Sequence, residues 1–525
     1  MSARTSLGKA RKQGAAANRH GYSNLPSREQ LHRENERLLR EIEQLHPENE
    51  RLLRANEDLR RKLTEREKQI ADAEKQIADL ERQLAGRQKD STNSSKPPSS
   101  DGPAANSRSR RRKKCKRKPG GQKGHPGHHR PLVPPDQVRE VRPVLPVECH
   151  GCGHSLPRHP EEIQTVGTVQ RHQVTELPPI QPYIIEYQCP KVVCPACGEG
   201  TRAPLPEEAQ EGDFGPQLMA LIAYLTVVCR MPRRVVEAFL EHVLGISMSL
   251  GSTQKCWEQA SAAVAEPCRE LEEQLKNEPV LNSDETGWRN NGEKRYIWAL
   301  VARHFVFYTV ATTRSSEVLI HLLGAVFAGI LCSDRYGAYF KYHKGLAQLC
   351  WAHLKRDILG IQDFAKTTDA ERFCRDALAL YASLFRLWRK FQRGLIDRTQ
   401  LIARSIPLQK RWFALAGRYL DSDDREVRNL ATALFQHCDK LFTFIERPGV
   451  EPTNNAVERA LRIAVQWRKI AFGNRSAQGE VATARLLTVS QTCRMQGRNP
   501  LGYLTEAIIC YRRRQPPPSL LPQQK

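Results

Sequence analysis

The sequence lacks an apolar run long enough to cross a membrane. Its longest run, LMALIAYLTVVC from Leu218, has about twelve residues, whereas a membrane-spanning helix needs about twenty. The basic N-terminus MSARTSLGKARKQG has no apolar stretch behind it, so we expect no signal peptide. These absences predict a cytoplasmic protein with no membrane partner.

The chain also has too few acidic residues to balance its basic ones. It contains 58 Asp and Glu against 82 Lys and Arg, which gives a net charge of +24 and a pI near 9.6. So large a positive charge predicts a polyanionic partner, and nucleic acid is the commonest one. Residues 1–26 are polar and basic without periodicity, so we expect them to be disordered.

A heptad pattern predicts a coiled coil over residues 27–90. Leu31, Leu38, Leu45, Leu52 and Leu59 lie at d positions, Leu63, Ile70, Ile77 and Leu84 at a positions, and Asn35, Asn49 and Asn56 at earlier a positions. Leucine at d with asparagine at a favours a parallel two-stranded coil, and therefore a homodimer or a higher oligomer. SREQ at Ser27 predicts a capping box, and Pro47 should kink or split the helix. The alternative is one amphipathic helix packed on its own domain.

Residues 91–140 form a linker rich in Ser, Pro and Gly with a strongly basic centre. Nine of the eleven residues from Arg108 to Lys118 are Lys or Arg. Such dense like charge cannot fold on itself, which indicates an arm that binds DNA phosphates; a solubilising tail is the alternative. The predicted DNA contacts of this arm are Arg110, Arg111, Arg112, Lys113, Lys114, Lys116, Arg117 and Lys118.

Residues 141–205 carry two C-x-x-C pairs, CHGC and CPAC. Fifteen cysteines in a chain without an export signal indicate thiols or metal ligands rather than disulfides. Two such pairs suit a tetrahedral Zn²⁺ site, although the 41 intervening residues would have to contain strands, for which HQVTELPPIQPYIIEYQC is the candidate. The predicted ligands are Cys149, Cys152, Cys194 and Cys197, with Cys189, His150 and His154 as possible substitutes.

The next segment, 206–276, predicts a helical DNA-binding region, and one interpretation of it is a helix–turn–helix. Gly245 would end one helix and Ser252 would cap the next, with Gln254 and Lys255 exposed near its start. Plain helix packing explains the same pattern equally well. From residue 277 the period changes to two, and YIWALVA and HFVFYTVA predict paired strands.

The remaining chain predicts a mixed α/β core interrupted by helices. Residues 277–365 and 451–495 would form the two parts of the core, 366–450 a helical insertion, and 496–525 a C-terminal element and tail. In the core the apolar runs VLNSD and GILCSD each lead into an aspartate, Asp284 and Asp334. Carboxylates at neighbouring strand ends can converge on a hard divalent ion.

A third carboxylate would complete such a site, and Glu458 is the candidate. The alternative for Glu458 is a capping box in which Asn455 is the N-cap. Three convergent carboxylates would hold two Mg²⁺, or Mn²⁺, which together stabilise the attacking and leaving oxygens of a phosphoryl displacement.

The order of these motifs resembles the insertion sequence 66 family of bacterial transposases, from about Glu29 to Ile508. The resemblance rests on the zipper, NSSKPPSSDG, GGQKGHPG, the C-x-x-C pairs, DETGW, SDRYGAY, CWAHLKR, NNAVERALR and RKIAFGN. It implies a ribonuclease H-like catalytic core with an Asp-Asp-Glu triad of Asp284, Asp334 and Glu458. A basic residue often follows the glutamate by seven positions, but here Val465 stands there, and Arg462 is the substitute.

The sequence thus predicts a transposase that cuts DNA at the ends of its element and joins the 3′-OH to target DNA at the bacterial nucleoid. Accessory transposition proteins are candidate partners. His353 and Arg356 in CWAHLKR would contact the scissile phosphate, unless they merely pack beside Trp351. One alternative is a non-catalytic DNA-binding regulator built from the zipper and the zinc module. The other is a ribonuclease H-like nuclease without strand transfer.

Overall fold

The computed structural model describes residues 27–88, 124–126, 130–164, 166–206, 209, 212–365 and 367–522. The chain divides into two compact units, Met1–Gln88 and Lys89–Lys525. The prediction for residues 1–26 and the DNA contacts predicted from Arg110 to Lys118 lie outside the described residues. No described helix combines the length and the apolarity that crossing a bilayer requires.

Helix α1 (Arg28–Gln88) makes up the described part of the first unit. The predicted capping box is present: the Ser27 N–H donates to Gln30 Oε1 at 2.9 Å, and the Gln30 N–H donates to Ser27 Oγ at 3.2 Å. The predicted split at Pro47 is wrong, because α1 continues through it even though proline cannot donate a backbone hydrogen bond there. The heptad leucines whose side chains the structure describes are exposed, from 47% at Leu38 to 64% at Leu59.

The cysteine-containing segment has little regular structure. It contains short 3₁₀ turns at Pro135–Gln137 and Pro160–Glu162 and a hairpin of β1 (Lys191–Val193) and β2 (Gly200–Arg202). The strands expected in HQVTELPPIQPYIIEYQC are wrong, since residues 172–189 belong to no strand. The three prolines in that stretch cannot donate to a sheet, which gives the physical reason.

Four helices precede the sheet. They are α2 (Pro216–Val227), α3 (Arg233–Leu244), α4 (Leu250–Ala263) and α5 (Ala265–Gln274), followed by a 3₁₀ turn at Leu275–Asn277. Gly245 ends α3 with a φ of +67°, as the sequence predicts. The N-cap of α4 is Ser249 rather than Ser252, because the Ser249 hydroxyl accepts the Ser252 N–H at 3.1 Å. Exposed Lys255 lies in the second turn of α4.

The core of the second unit is a mixed five-stranded sheet. Its strands are β3 (Val280–Asn290), β4 (Glu293–Val301), β5 (Val306–Ala311), β6 (Ile330–Ser333) and β7 (Ala347–Leu349). The spatial order is β5-β4-β3-β6-β7, with β3, β4 and β5 antiparallel and β6 and β7 parallel to β3. The strands expected in YIWALVA and HFVFYTVA are therefore present and paired. Trp298 is fully buried in β4 at the centre of the apolar core.

Helices cover this sheet and its edge. They are α6 (Ser316–Leu323), α7 (Gly337–Tyr342), α8 (Trp351–Asp363), α13 (Asn455–Ala471) and α14 (Ala477–Met495). Helix α15 (Pro500–Arg512) packs on α2 and α4. Helix α13 packs on β3 and β4, and α14 packs on β5. Because β5 is an edge strand, its free N–H groups need partners, and Thr488 and Thr492 of α14 accept two of them at 3.0 and 3.1 Å.

A helical block separates α8 from α13. It comprises α9 (Thr368–Gln392), α10 (Arg398–Arg418), α11 (Arg425–Gln436), a 3₁₀ turn at Cys438–Leu441 and α12 (Thr443–Glu446). Trp351, the first residue of α8, is fully buried in the core of this block. Its indole donates to the Leu441 carbonyl at 2.6 Å, and its ring lies 5.0 Å from that of Trp412. The block therefore packs directly against α8, the helix beside the sheet edge.

Candidate active site

Asp284 and Asp334 lie on neighbouring strands at the side of the sheet where pairing stops. Asp284 lies inside β3 rather than at its end, which corrects the expectation from the sequence. However, the pairing of β3 with β6 ends at Asn282 and Cys332, so β6 does not pair with β3 at Asp284. Asp334 follows directly after β6. The break in pairing, rather than a strand end, brings both carboxylates to one place.

The charges of the three predicted carboxylates influence one another. Burial raises the pKa of Asp284 well above its usual value, and the charges of Glu285, Asp334 and Glu458 raise it further. Burial also raises the pKa of Asp334, which Arg314 and Arg335 partly oppose. We call Asp284, Glu285, Asp334 and Glu458 the acidic cluster. Like charges that interact at a buried site are unfavourable without cations, and carboxylate oxygens are donors that Mg²⁺ accepts. The ligand atoms of Asp284, Asp334 and Glu458 do not, however, form a group of three within 4.8 Å among the described residues.

The Glu458 carboxylate is held by helix α8 rather than by its own helix terminus. Arg356 Nη2 donates to Glu458 Oε1 at 2.8 Å, and His353 Nδ1 lies 3.5 Å from the same oxygen. The capping-box alternative is wrong, because the N-cap is Asn454 and no side chain caps this helix. Asn454 instead donates through Nδ2 to the Ser283 carbonyl at 2.9 Å and so fixes the start of α13 against β3.

Glu285 is a buried member of the cluster that sequence reasoning missed. Tyr339 donates to Glu285 Oε2 at 2.5 Å, and Arg314 Nε donates to Oε1 at 2.6 Å. The Arg314 guanidinium also stacks on the Tyr336 ring, 4.0 Å from its centroid. The residues on either side of Glu285 are not basic, and the arginine that pairs with it lies 29 residues later in the chain. Both carboxylate oxygens are therefore engaged by protein groups.

Asp357 is a second carboxylate that sequence reasoning missed. It forms an ion pair with Arg335, the residue after Asp334, and burial raises its pKa while Arg335 opposes the rise. His353, Arg356 and Asp357 are three and four residues apart on α8, and this spacing places them on one helix face. The i, i+3, i+4 pattern in CWAHLKRD was the signal that could have identified this face.

The predicted phosphate contacts have different environments. His353 is 8% exposed, and burial, with Arg356 and Arg335, lowers its pKa to about 3, so the imidazole is neutral. Arg356 is paired with Glu458. On α13, Arg462 is exposed, whereas Val465 is buried in the core and unavailable to DNA. The packing alternative holds for Trp351, while His353 and Arg356 extend to the acidic cluster.

The motifs DETGW and RKIAFGN bind each other. Trp288 Nε1 donates to Asn474 Oδ1 at 2.6 Å, and Asn474 Nδ2 donates to Thr483 Oγ1 at 2.9 Å. The Asn474 N–H donates to the Arg289 carbonyl at 2.9 Å. Gly473 has a φ of +103°, and a Cβ there would lie 2.3 Å from the Arg289 carbonyl oxygen, so only glycine fits. Through these hydrogen bonds the two motifs connect the end of α13 and the start of α14 to β3.

Each C-x-x-C pair forms the same tight turn. The Gly153 N–H donates to the Cys149 carbonyl, and the Gly198 N–H donates to the Cys194 carbonyl, both at 2.9 Å. Backbone N–H groups in these turns lower the pKa of Cys149 and of Cys194, as a metal-binding thiolate requires. Among the described residues, however, only Cys350, His353 and Glu458 form a group of three potential ligands within 4.8 Å. Zinc binding by the four cysteines stays a prediction.

The described chain thus combines a mixed α/β sheet domain with the acidic cluster. Residues 211–482, just over half of the chain, match the model of the transposase IS66 family. The chain therefore belongs to the IS66 family of transposases, as the resemblance indicated. Residues 23–131 match a second model, that of a family of unknown function.

Individual relatives come from Sinorhizobium fredii (strain NBRC 101917 / NGR234) and are uncharacterized proteins. The chain is 25% identical to y4hP over 413 residues, which cover 71% of this chain and 72% of that protein. It is 27% identical to y4qI over 224 residues, 36% of each chain, and 24% identical to y4jD over 356 residues, 61% of this chain and 67% of that protein. The similarity to y4qI thus spans about a third of each chain.

Proposed function

We propose that this transposase of an insertion element cuts DNA at the element ends and joins the freed 3′-OH to target DNA by metal-assisted phosphoryl transfer. One observation carries the proposal. Asp284, Asp334 and Glu458 come from two strands and a distant helix, and yet they interact at the unpaired side of the sheet. A non-catalytic DNA-binding protein has no need for carboxylates that destabilise one another.

We propose a ribonuclease H-like core for the domain that carries this cluster. Three consecutive antiparallel strands followed by two strands parallel to the first support it, as does the placement of α13 across β3 and β4. The helical block between Asp334 and Glu458 corresponds to the insertion that the family resemblance implies. The remaining boundaries, at 141–205 for a zinc module and 206–276 for DNA-binding helices, are part of the same proposal.

Asp284, Asp334 and Glu458 would hold two Mg²⁺ or Mn²⁺. When bound, such a pair would supply positive charge to the attacking and leaving oxygens of the phosphodiester. Arg356 orients Glu458 through the hydrogen bond at 2.8 Å. Arg314 and Tyr339 hold both oxygens of Glu285, so Glu285 serves to position Arg314 rather than to bind an ion directly.

DNA binding follows from the family and from the charge of the chain. Its net charge of +24 favours contacts with phosphate, and exposed Arg462 lies one turn after Glu458 on α13. We propose that the basic arm and the zinc module hold the element ends, and that α1 pairs two subunits. This arrangement would let two element ends be processed in one assembly.

Conservative substitutions of the three carboxylates test the proposal. Asp284→Asn, Asp334→Asn and Glu458→Gln should each reduce cleavage and strand transfer by about 10³-fold or more, because the ligands act as a unit. DNA binding should persist, since it depends on basic residues elsewhere. The assay uses a labelled duplex containing the inverted repeat that flanks the gene, with Mg²⁺. Mn²⁺ should substitute, and Ca²⁺ should support binding without chemistry.

The matched control is Asp423→Asn, which changes an exposed aspartate in the helical block and should leave activity unchanged. An active Glu458→Gln variant would remove Glu458 from the metal site. Cleavage without strand-transfer products would leave a nuclease in place of a transposase. If the wild-type chain binds the repeat but cleaves nothing with either ion, the protein is a DNA-binding regulator.

A further inference from the structure

Cys350 and His353 form a second potential metal site next to the acidic cluster. They flank the start of α8 in the sequence CWAH, with Cys350 as the N-cap residue. Cys350 is only 3% exposed, and its Sγ accepts the backbone N–H of Asn454 at 3.1 Å. Burial raises the pKa of this thiol to about 11, while the Asn454 N–H opposes the rise, so a cation bound there would have to displace the thiol proton.

His353 is directed into the same place and lacks a hydrogen-bond partner there. It is 8% exposed, and its Nδ1 atom is buried with no partner among the described residues. Nδ1 lies 3.5 Å from Glu458 Oε1, close to the separation of about 3.3 Å between two ligands of a tetrahedral zinc ion. The potential ligand atoms of Cys350, His353 and Glu458 all lie within 4.8 Å of one another.

We propose that Cys350, His353 and Glu458 bind a zinc-like divalent cation, which inhibits the enzyme by withdrawing Glu458 from the acidic cluster. A thiolate, an imidazole and a carboxylate form a donor set that zinc accepts, whereas Mg²⁺ discriminates against sulfur and nitrogen. The two sites share Glu458, and two cations held by one carboxylate would repel each other, so we expect zinc to oppose Mg²⁺ binding. The inhibitory part rests on the proposed function, whereas the binding part does not.

Arg356 adds a directional consequence. Its Nη2 atom already occupies Glu458 Oε1, the same oxygen that lies nearest to His353. A cation bound by His353 and Glu458 must displace this guanidinium, and it also experiences repulsion from the positive charge. Removal of that charge should therefore strengthen zinc binding. A purely structural role for Cys350 and His353 makes no such forecast.

Zinc binding by the full chain tests the site without any DNA. Because the four cysteines of the C-x-x-C pairs would bind zinc of their own, the measured quantity is the difference between variants after equilibrium with a competing zinc indicator. Cys350→Ala should bind one zinc fewer per chain than the wild type, whereas Cys493→Ala, which removes another fully buried cysteine, should bind the same number. An equal count in wild type and Cys350→Ala overturns the proposal.

Two further variants keep the test decisive if Cys350→Ala fails to fold. Arg356→Gln should bind zinc at this site more tightly, and His353→Gln should bind it at least about tenfold more weakly. Unchanged affinity in both overturns the site. Cobalt(II) gives an independent readout, since thiolate coordination produces a charge-transfer absorption that Cys350→Ala should reduce.

Inhibition is measured as DNA cleavage at fixed Mg²⁺ with rising Zn²⁺. The wild type should lose activity, and Cys350→Ala, which retains all three proposed Mg²⁺ ligands, should need at least about tenfold more Zn²⁺ for the same loss. Equal sensitivity would overturn the inhibitory role. A wild-type chain that binds zinc through Cys350 but never cleaves DNA would refute the proposed function while the zinc site stands. A chain that cleaves DNA but binds no zinc through Cys350 would support the proposed function and refute the zinc site.

Discussion

Helix α1 and the sheet domain satisfy their sequence patterns in opposite ways. In the sheet domain, residues such as Trp298 and Leu281 are completely buried by other parts of the same chain. In α1, the heptad leucines lie on a regular helix and yet remain about half exposed or more. The apolar residues of the sheet domain are buried within a single chain, whereas the leucines of α1 are not.

The difference teaches which patterns need a partner. The exposed apolar stripe from Leu31 to Leu80 is unfavourable in water, and a second copy of the same stripe is what a sequence with Leu at d and Asn at a selects. The cysteine turns belong to the same class, because their local geometry is present while the four thiols are not brought together. For them the missing partner would be an ion.

The largest expected effect concerns the cysteine turns. Purified protein should carry zinc at this segment, and Cys149→Ser or Cys194→Ser should lose it and unfold the segment, since zinc binding supplies on the order of 10 kcal/mol in small modules. Metal analysis and protease sensitivity measure this. Cys229→Ser, which changes an exposed cysteine outside the turns, is the control. Folded, reduced protein without any zinc there would contradict the assignment.

The second prediction addresses α1. A fragment of residues 27–90 should be a helical dimer, and the double change of Leu52→Lys and Leu59→Lys should make it monomeric, because each unpaired charge in a seam costs roughly 3–5 kcal/mol. Sedimentation measures the state. Arg54→Lys with Arg61→Lys, at f positions, should remain dimeric. If the unmutated fragment is monomeric at tens of micromolar, α1 has no self-complementary seam.

The third prediction concerns the contact between Trp288 and Asn474 in the sheet domain. Asn474→Ala removes the acceptor of the Trp288 indole and the donor to Thr483, so the free energy of unfolding should fall by about 2–4 kcal/mol. Denaturant titration measures this loss. Trp288→Phe keeps the ring and removes only the N–H, and it should cost less, about 1 kcal/mol. Equal stability of Asn474→Ala and wild type would show that the two motifs are not coupled.

The smallest expected effect is a gain in thermal stability when Asp284 loses its charge. The pKa values of Asp284 and Asp334 are raised in the folded state, so folding favours their protonated forms. Their destabilising contribution is absent below the ordinary pKa of about 4 and grows as pH rises through the raised values. Without metal at pH 8, Asp284→Asn should therefore raise Tm by about 2–4 °C, a change that disappears near pH 4.

Added Mg²⁺ should reduce that gain, because cations relieve the same repulsion in the wild type. Calorimetry with and without Mg²⁺ measures both effects. Asp423→Asn, on the exposed surface, should change Tm under neither condition. A metal-free Asp284→Asn variant that melts below the wild type would mean that the Asp284 carboxylate stabilises the fold.

Sequence reasoning could identify features that depend on local chain chemistry. The apolar runs that form β4 and β5, the Ser27 capping box and the Gly245 helix end follow from neighbouring residues. It failed where distant contacts decide the outcome. Neither the partner of Glu285 nor the role of Asp357 is encoded nearby. Whether Glu458 caps its helix depends on Asn454, whose side chain binds a carbonyl 171 residues away.

The late position of α13 in the chain has a consequence for synthesis. A reading frame interrupted within the helical block yields a product that retains α1, Asp284 and Asp334 but lacks the helix that covers β3 and β4. Trp288 and Ile297, at most 2% exposed in the whole chain, would then face water, and such a product should aggregate or be degraded. Truncated copies would therefore rarely survive to pair with intact subunits through α1, and a damaged element would interfere little with its active relatives in the same cell.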